Sequence, residues 1–143
     1  MLPDFDDEGL LPLGIHSATW GEIYTRFGKN DHRKRLLSGL KLALESLKSA
    51  GCQAVYLDGS FVTNKENPND YDICWETTGV DEQKLDHVLL ESSFPRNKQK
   101  MKFGGEFLAN NPWDSWPTFF QQVKNPITKE RKGIVKIELR DFP

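Results

Sequence analysis

The hydrophobic positions of this chain recur at spacings that predict both helices and strands. The clearest run lies between residues 31 and 51, where apolar side chains return at steps of three and four, as on one face of an amphipathic helix. Asp31 is expected to cap the start of this helix and Gly51 to end it. Its apolar positions are Leu36, Leu37, Leu40, Ala43, Leu44 and Leu47.

A shorter helix is predicted upstream. Thr19 and Glu22 have the spacing of a capping box, in which each side chain bonds to the other residue's backbone N–H, and the helix is expected to run to about Phe27. Ser17 is an alternative start. Residues 1–14 are acidic and show no period, so they are expected to be irregular.

Short apolar runs predict strands. Residues 52–57 and 71–75 indicate two buried strands with a polar connection between them. Residues 132–139 alternate between apolar and polar side chains, which predicts a final strand. Residues 101–109 are expected to be extended as well.

Two more helices are predicted in the second half of the chain. Leu85, Val88 and Leu89 have helical spacing within residues 81–91. Asp114 or Ser115 is expected to begin the other helix, with Pro117 in its first turn. From the long helix onward, the resulting order is helix, strand, strand, helix, strand, helix, strand. It predicts a mixed β-sheet backed by helices, a fold that is α/β in the broad sense that includes α+β.

Composition places these elements in a single soluble domain. The chain, residues 1–143, has room for one ordinary hydrophobic core. Its residues are 37% hydrophobic and 28% charged, and no apolar run approaches the ~20 residues that cross a bilayer. The first residues lack the basic and apolar parts of a signal sequence, so a cytoplasmic protein without a membrane partner is expected. Cys52 and Cys74 are expected to be reduced, buried thiols, although a disulfide between their neighbouring strands stays open.

The connection between the two central strands carries the residues that suggest chemistry. Asp70 and Asp72 are two positions apart, so both carboxylates leave the same face of the second strand, with Cα atoms about 6.5 Å apart. Tyr71 and Ile73 are expected to face the core. Paired carboxylates repel each other unless a cation neutralises them, and Mg²⁺ is a hard cation that takes carboxylate and phosphate oxygens.

Gly59 and Ser60 follow the first of these strands. Glycine permits close approach of the backbone, and backbone N–H groups together with the Ser60 hydroxyl can hold phosphate oxygens. An anion site and a metal site would then face each other, which is the layout of in-line phosphoryl displacement. The alternative without chemistry is a β-hairpin with a polar loop, in which Pro68 and Asn69 are turn residues and Asp70 caps the turn.

The pattern of Gly59-Ser60, a spacer and Asp70-x-Asp72 resembles the signature of the DNA polymerase beta-like nucleotidyltransferase superfamily. The closest branch in pattern is that of the minimal nucleotidyltransferases, which include antitoxins of bacterial toxin–antitoxin pairs. The longer run from Leu57 to Lys65, with residues 68–72, is also similar to a poorly characterised group of bacterial and phage proteins in this superfamily. The resemblance implies a nucleotidyltransferase fold.

The resemblance also implies a reaction. A nucleoside monophosphate would move from a nucleoside triphosphate, with ATP favoured, to a hydroxyl group, with Mg²⁺ or Mn²⁺ held by Asp70 and Asp72. Gly59 and Ser60 would orient the phosphates. Because a single domain leaves no room for a module that binds a small acceptor, a macromolecular acceptor is favoured, either a toxin-like protein or RNA. The alternative is a catalytically degenerate member that serves as a binding module, for instance an antitoxin that acts by direct contact.

Enzymes of this superfamily place a third carboxylate on a later strand, where it completes the metal site. Glu106 is the favoured candidate because it follows Gly104 and Gly105, which permit close approach of backbone or ligand. Glu138 on the final strand is its rival. Lys65 in the connecting loop is a candidate for binding the triphosphate, with a merely solvated lysine as the alternative.

A basic segment precedes the long helix. Residues 29–35 read Lys-Asn-Asp-His-Arg-Lys-Arg and place positive charge at a helix N-terminus, where the macrodipole disfavours it. Two explanations stay open: a ligand such as phosphate or RNA, or a solvated cluster offset by Asp31. The net charge of −2 does not favour general nucleic-acid binding.

Overall fold

One mixed β-sheet organises the part of the chain that the structure, a computed structural model, describes: residues 2–91, 96–111 and 132–143, together with Pro117. Within these ranges five strands and three helices lie in the following order: β1 (Ile15–Ser17), α1 (Trp20–Phe27), α2 (Asp31–Ser49), β2 (Ala54–Asp58), β3 (Tyr71–Glu76), α3 (Asn97–Phe103), β4 (Gly105–Asn110) and β5 (Ile134–Glu138). Short 3-10 turns occupy Ser60–Val62, Glu82–Lys84, His87–Leu90 and Leu139–Asp141.

The strand order in the sheet is β1-β5-β2-β3-β4. The two central strands, β2 and β3, are antiparallel, and β2 is also antiparallel to β5. The outer pairs, β1 with β5 and β3 with β4, are parallel. The predicted mixed sheet with helices is therefore confirmed. The strand β1, only three residues long, was not predicted, because so short a segment has no period to detect.

The two faces of the sheet differ in what they contact. Alternate side chains of the strands pack with the apolar face of α2 into the main core. The core residues from these elements are Leu37, Leu40, Leu44, Leu47, Val55, Leu57, Tyr71, Ile73, Trp75, Phe107, Val135 and Ile137. The opposite face holds a smaller buried cluster of Tyr56, Cys74 and Ile134. The same face also carries the polar strand residues from which the candidate site is built.

The predicted helix ends are largely confirmed. Thr19 and Glu22 form the capping box of α1, so the alternative start at Ser17, which lies in β1, is wrong. The long helix α2 ends just before Gly51, whose positive φ of 97° suits a residue after a helix. Its N-cap is Asn30 instead of the predicted Asp31, because the Asn30 side chain accepts a hydrogen bond from the Arg33 N–H.

The helix predicted over residues 81–91 is wrong. Asp81 and Asp86 each accept a hydrogen bond from the backbone N–H two residues later, and each of these bonds starts a separate 3-10 turn. Aspartate side chains compete in this way with the hydrogen bonds of a helix. Leu85 and Leu89 are nevertheless buried, so the helical spacing reflected burial and not a continuous helix.

The extended segment predicted over residues 101–109 is only partly correct. Residues 105–109 belong to β4, whereas Met101 to Phe103 form the end of α3. Apolar periodicity does not reveal α3, because Met101 is exposed and the buried residue in its centre is the polar Gln99. The helix predicted to begin at Asp114 or Ser115 lies outside the described residues, apart from Pro117.

The described residues contain no helix that is both long and apolar enough to cross a membrane. Cys52 and Cys74 are buried and free, so the disulfide alternative is wrong. Burial raises the pKa of the Cys52 thiol to about 11, which keeps it protonated near neutral pH.

Candidate active site

A row of carboxylates crosses three neighbouring strands at one end of the sheet. Asp58 at the end of β2 lies opposite Asp72 in β3, and Asp72 lies beside Glu106 in β4. Residues in register on adjacent strands share a face and are separated by about 4.8 Å in the hydrogen-bonding direction. Tyr71 and Ile73 are buried on the opposite face, as predicted. Asp58 was not singled out in the sequence, although its position directly before Gly59 is the signal that could have indicated it.

A lysine links two of the predicted acidic residues. The Lys100 ammonium lies 3.8 Å from Asp70 Oδ2 and 3.5 Å from Glu106 Oε1. The two carboxylates therefore approach the same positive charge, one from the residue just before β3 and the other from β4. Glu106 is thus next to both predicted aspartates.

Glu138, the rival third carboxylate, lies elsewhere. It is opposite Ala54 at the start of β2, three positions from the pair of Leu57 and Val135. At about 3.3 Å per strand residue this places it about 10 Å further from the acidic end of the sheet. Its carboxylate contacts Lys136 at 3.2 Å. Glu138 is therefore excluded from the row of carboxylates.

The row offers the type of oxygen donor that suits a hard cation, but its side chains are not arranged around one. Within the described residues, no group of three or more His, Cys, Asp or Glu side chains has the geometry to hold a metal ion. The oxygens of Asp70 and Glu106 that surround Lys100 are 3.5–3.8 Å from its nitrogen, whereas Mg²⁺ requires oxygens at about 2.0–2.1 Å. The donor type therefore fits Mg²⁺ or Mn²⁺, and the side chains would have to close around the ion.

The turn at Gly59 brings the backbone against the Asp72 carboxylate. Gly59 has φ 94° and ψ −178°, a conformation that is essentially restricted to glycine. A Cβ at this position would lie 3.3 Å from Asp72 Oδ2. Ser60 then begins a 3-10 turn, in which its carbonyl accepts from the N–H of Thr63 at 3.2 Å and from the Thr63 hydroxyl at 2.6 Å. The predicted phosphate-binding residues and the predicted acidic residues are therefore neighbours.

The loop that follows this turn is held by a buried arginine. Arg33, in the first turn of α2, has 0% of its surface exposed. Its guanidinium donates to the carbonyls of Phe61 at 2.7 Å, Thr63 at 2.9 Å and Lys65 at 3.1 Å. A further bond reaches Phe27 at 3.2 Å. Burial lowers the pKa of Arg33, and these carbonyl dipoles compensate for the loss of water around the charge.

Three neighbours of Arg33 extend this contact along the loop. The Asn30 amide donates to the Glu66 carbonyl at 2.8 Å, and the Lys29 ammonium donates to the Asn64 carbonyl at 3.0 Å. His32 Nε2 bonds to the carbonyl of Pro68. Much of the basic segment thus binds the protein's own loop, an explanation that neither of the two open alternatives contained. We call Lys29, Asn30, His32 and Arg33 the loop clamp.

Lys65 is anchored by its backbone and exposed by its side chain. Its carbonyl belongs to the set bound by Arg33, so the residue is fixed within the loop after Ser60. Among the described residues, no contact to the Lys65 ammonium is seen. Its role in binding a triphosphate stays a prediction.

A second lysine, which the sequence did not reveal, neutralises the other end of the row. Lys132 forms an ion pair with Asp58, and each of the two residues is only 7% exposed. Burial lowers the pKa of Lys132 to about 8, while the Asp58 carboxylate favours the charged form. Because these residues are 74 positions apart, no local pattern could pair them.

The glycine directly before Glu106 serves packing between strands. A Cβ on Gly105 would lie 2.4 Å from the Tyr71 ring and from the Tyr71 carbonyl. The Tyr71 hydroxyl donates to the Phe103 carbonyl at 2.8 Å, which fixes the ring across α3. The close approach predicted at Gly105 is therefore made by the neighbouring strand, and not by a ligand.

Comparison with known proteins places the chain in a family. A sequence model described as "Family of unknown function (DUF6932)" matches residues 3–138. Searches of curated proteins and of solved structures give no match.

Proposed function

Because the chain belongs to the family of unknown function DUF6932, we propose its function from the geometry of its own site: it is a Mg²⁺-dependent nucleotidyltransferase. In this proposal a nucleoside monophosphate, with AMP favoured, moves from a nucleoside triphosphate to a hydroxyl group of a macromolecule. The observation that carries the proposal is the register of β2, β3 and β4. It sets Gly59, Asp72 and Glu106 side by side.

The acidic side of the site supports binding of a divalent cation. Asp70 lies just before β3, Asp72 lies in β3 and Glu106 lies in β4. Their oxygens are the hard donors that Mg²⁺ and Mn²⁺ prefer. When bound, the cation would offset the negative charge on the transferring phosphoryl group. Two of these residues, Asp70 and Glu106, now contact the Lys100 ammonium.

The other side of the site supports binding of the triphosphate. Gly59 leaves the space beside Asp72 free of a side chain, and Ser60 presents its hydroxyl at the start of the 3-10 turn. The loop clamp keeps this turn in place through backbone carbonyls further along the loop. Lys65 in the same loop is the candidate partner of the outer phosphates.

The proposed reaction is an in-line displacement. The acceptor hydroxyl oxygen forms a bond to the α-phosphorus, and the bond from that phosphorus to the oxygen that bridges to the β-phosphate breaks. Pyrophosphate leaves with the electron pair of the broken bond. Glu106, on the far side of Asp72 from Gly59, takes the proton of the hydroxyl. Binding, orientation and electrostatic stabilisation of charge supply most of the catalysis in such reactions.

A macromolecular acceptor is favoured, because the described elements belong to one sheet with its helices and include no second module. We propose a protein side chain of a toxin-like partner, or an RNA end, as the acceptor. The reaction would take place in the cytoplasm.

Transfer of a radiolabelled α-phosphate tests the proposal. The protein is incubated with Mg²⁺ or Mn²⁺ and each ribonucleoside triphosphate in turn, in the presence of host protein and RNA. The wild type is compared with the double variant Asp70→Asn/Asp72→Asn. A matched control, Glu45→Gln/Glu82→Gln, removes the same charge at two exposed positions outside the row of carboxylates.

The expected result is label that enters protein or RNA with the wild type and the control, and not with the aspartate variant. Thermal melting and circular dichroism establish that every variant is folded. If the folded wild type transfers no label from any donor, also when the products of its genomic neighbours are added, the proposal is wrong.

The ion pairs of Lys100 favour a second candidate function. An ammonium already neutralises Asp70 and Glu106, as in a member of the superfamily that has lost catalysis and acts by binding alone. The chain would then act as an antitoxin by direct contact with its partner. Under this alternative, Asp70→Asn/Asp72→Asn retains its biological activity, whereas it loses that activity under the first.

A further inference from the structure

The row of carboxylates is neutralised by a lysine at each end, and the two lysines differ in their surroundings. Lys132 contacts Asp58, and both side chains are almost completely removed from solvent. Lys100 contacts Asp70 and Glu106, and 36% of its side chain is exposed. The two ion pairs therefore differ in how easily another cation can replace the lysine.

The buried contact is permanent in the folded protein. If Lys132 left Asp58, an unpaired carboxylate and an unpaired ammonium would both remain in a site of low polarity, which carries a large penalty. Asp58 thus contributes a neutralised carboxylate to the row. It is not available to a mobile cation.

In the more exposed contact, another cation can replace Lys100. Partly exposed ion pairs contribute little net stability, because water solvates each partner well when they separate. The distances of 3.5 and 3.8 Å from the Lys100 nitrogen to its carboxylates are also longer than those of a close charged hydrogen bond. The Asp70 side chain is 38% exposed, so water can solvate it when Lys100 leaves, whereas the Glu106 side chain is only 16% exposed. Lys100 therefore leaves readily only when another cation takes its place beside Glu106.

Contacts between α3 and β4 nevertheless keep the backbone of Lys100 close to Glu106. Its neighbour Gln99 is fully buried and bonds to both backbone groups of Phe107 in β4: its Oε1 accepts from the Phe107 N–H at 2.7 Å, and its Nε2 donates to the Phe107 carbonyl at 3.3 Å. These bonds fix α3 against β4. They hold the Lys100 backbone beside Glu106, so only the side chain is mobile.

We propose that Lys100 is an internal counter-ion that occupies the place of the divalent cation and is displaced when the metal binds. The inference rests on the proposed metal site of Asp70, Asp72 and Glu106. It adds a regulatory property to that site. In the protein without metal, Lys100 neutralises the carboxylates, and a metal ion must compete with this lysine in order to bind. Metal binding then releases a positive side chain at the edge of the site.

Binding of Mn²⁺ without any nucleotide tests this competition directly. The free Mn²⁺ ion is measured by electron paramagnetic resonance during titration of the purified protein. Lys100→Gln removes the competing charge and is expected to bind Mn²⁺ about twofold to thirtyfold more tightly than the wild type, the range expected from the loss of two ion pairs of the strength typical at a protein surface. Lys100→Arg keeps the charge and is expected to stay near the wild-type affinity.

A control from the same helix separates competition from a general change in charge. Lys98 is an exposed residue of α3, and Lys98→Gln removes the same charge two residues away. Its Mn²⁺ affinity should rise much less than that of Lys100→Gln. Addition of Asp70→Asn/Asp72→Asn to Lys100→Gln should abolish the tight binding, which places the ion at the proposed residues.

The outcomes distinguish this inference from the proposed reaction. Tighter Mn²⁺ binding by Lys100→Gln without any nucleotidyl transfer by the wild type supports the counter-ion and rejects the enzyme. Equal affinities of Lys100→Gln, Lys98→Gln and wild type overturn the counter-ion and leave the enzyme in place. Absence of Mn²⁺ binding in both the wild type and Lys100→Gln overturns the inference together with the metal site.

Discussion

At the scale of single residues, Arg33 determines the shape of the loop that carries Ser60 and Lys65. One guanidinium donates to four backbone carbonyls, three of them in the loop, and lies with its central carbon 5.0 Å from the centre of the Phe61 ring. A planar group with five donors can satisfy several acceptors at once, which a lysine cannot do. The loop has little regular structure of its own, so its conformation depends on these bonds together with those from the other residues of the loop clamp.

Replacement of Arg33 by methionine tests this role. Methionine fills much of the same space but leaves four carbonyls without their donor, and each buried, unsatisfied group costs about 1–3 kcal/mol unless water reaches it. We expect the free energy of unfolding to fall by about 3 kcal/mol or more in urea titrations. Arg35→Met, on the exposed side of the same helix turn, should change it by less than about 0.5 kcal/mol. Similar midpoints for the two variants would contradict the assignment.

At the scale of elements, the start of α2 serves two purposes at once. The Asn30 side chain caps the helix through its oxygen and binds the loop carbonyl of Glu66 through its nitrogen. An aspartate at the cap could accept the first bond but could not donate the second. The Asn30 amide is therefore one of the links between the start of the helix and the loop of the candidate site.

This arrangement predicts different effects for two neighbouring substitutions. Asn30→Ala removes both the cap and the loop contact, and loss of a cap alone costs about 0.5–2 kcal/mol. Asp31→Ala removes only a favourable charge in the first turn, so its effect on the free energy of unfolding should be clearly smaller. Chemical denaturation of both variants measures the difference. A larger effect of Asp31→Ala would instead support Asp31 as the N-cap, as the sequence predicted.

The elements that the sequence predicted correctly are those in which burial and local period agree. The helix α2 and the strands β2, β3 and β5 combine apolar repeats with clear ends, and all four are present. The segment 81–91 has the apolar repeat, but aspartate side chains divide it into two turns. The helix α3 lacks the repeat because a glutamine is its buried anchor. Hydrophobic pattern alone does not report such polar contacts.

At the scale of the whole molecule, the hydrophobic pattern predicted the candidate site only in part. Alternation along one strand correctly placed Asp72 on the face opposite the buried Tyr71. The choice between Glu106 and Glu138, however, required knowledge of which strands are neighbours and in which register. The sheet order β1-β5-β2-β3-β4 puts β4 next to β3 and directs Glu138 to the other end of β5, so only Glu106 lies beside Asp72. The role of Glu106 as a metal ligand stays a prediction.

The same sheet order creates a contact between distant parts of the chain, the ion pair of Asp58 with Lys132. It joins the end of β2 to the residues that lead into β5, across 74 positions of sequence. Since both partners are buried, each single substitution leaves one charge without its counter-ion. Such a charge is far more costly than the loss of the pair as a whole.

A double-mutant cycle with Asp58→Asn and Lys132→Met measures this coupling. Each single variant should lower the free energy of unfolding by about 3–5 kcal/mol, since each leaves a buried charge unpaired. The double variant, which leaves none, should be more stable than the sum of the two losses predicts, by at least about 1 kcal/mol. Additive losses would mean that the two charges do not stabilise each other in the folded protein. They would also remove the reason to treat Asp58 as permanently neutralised, and Asp58 would then become a fourth carboxylate for which a divalent cation could compete.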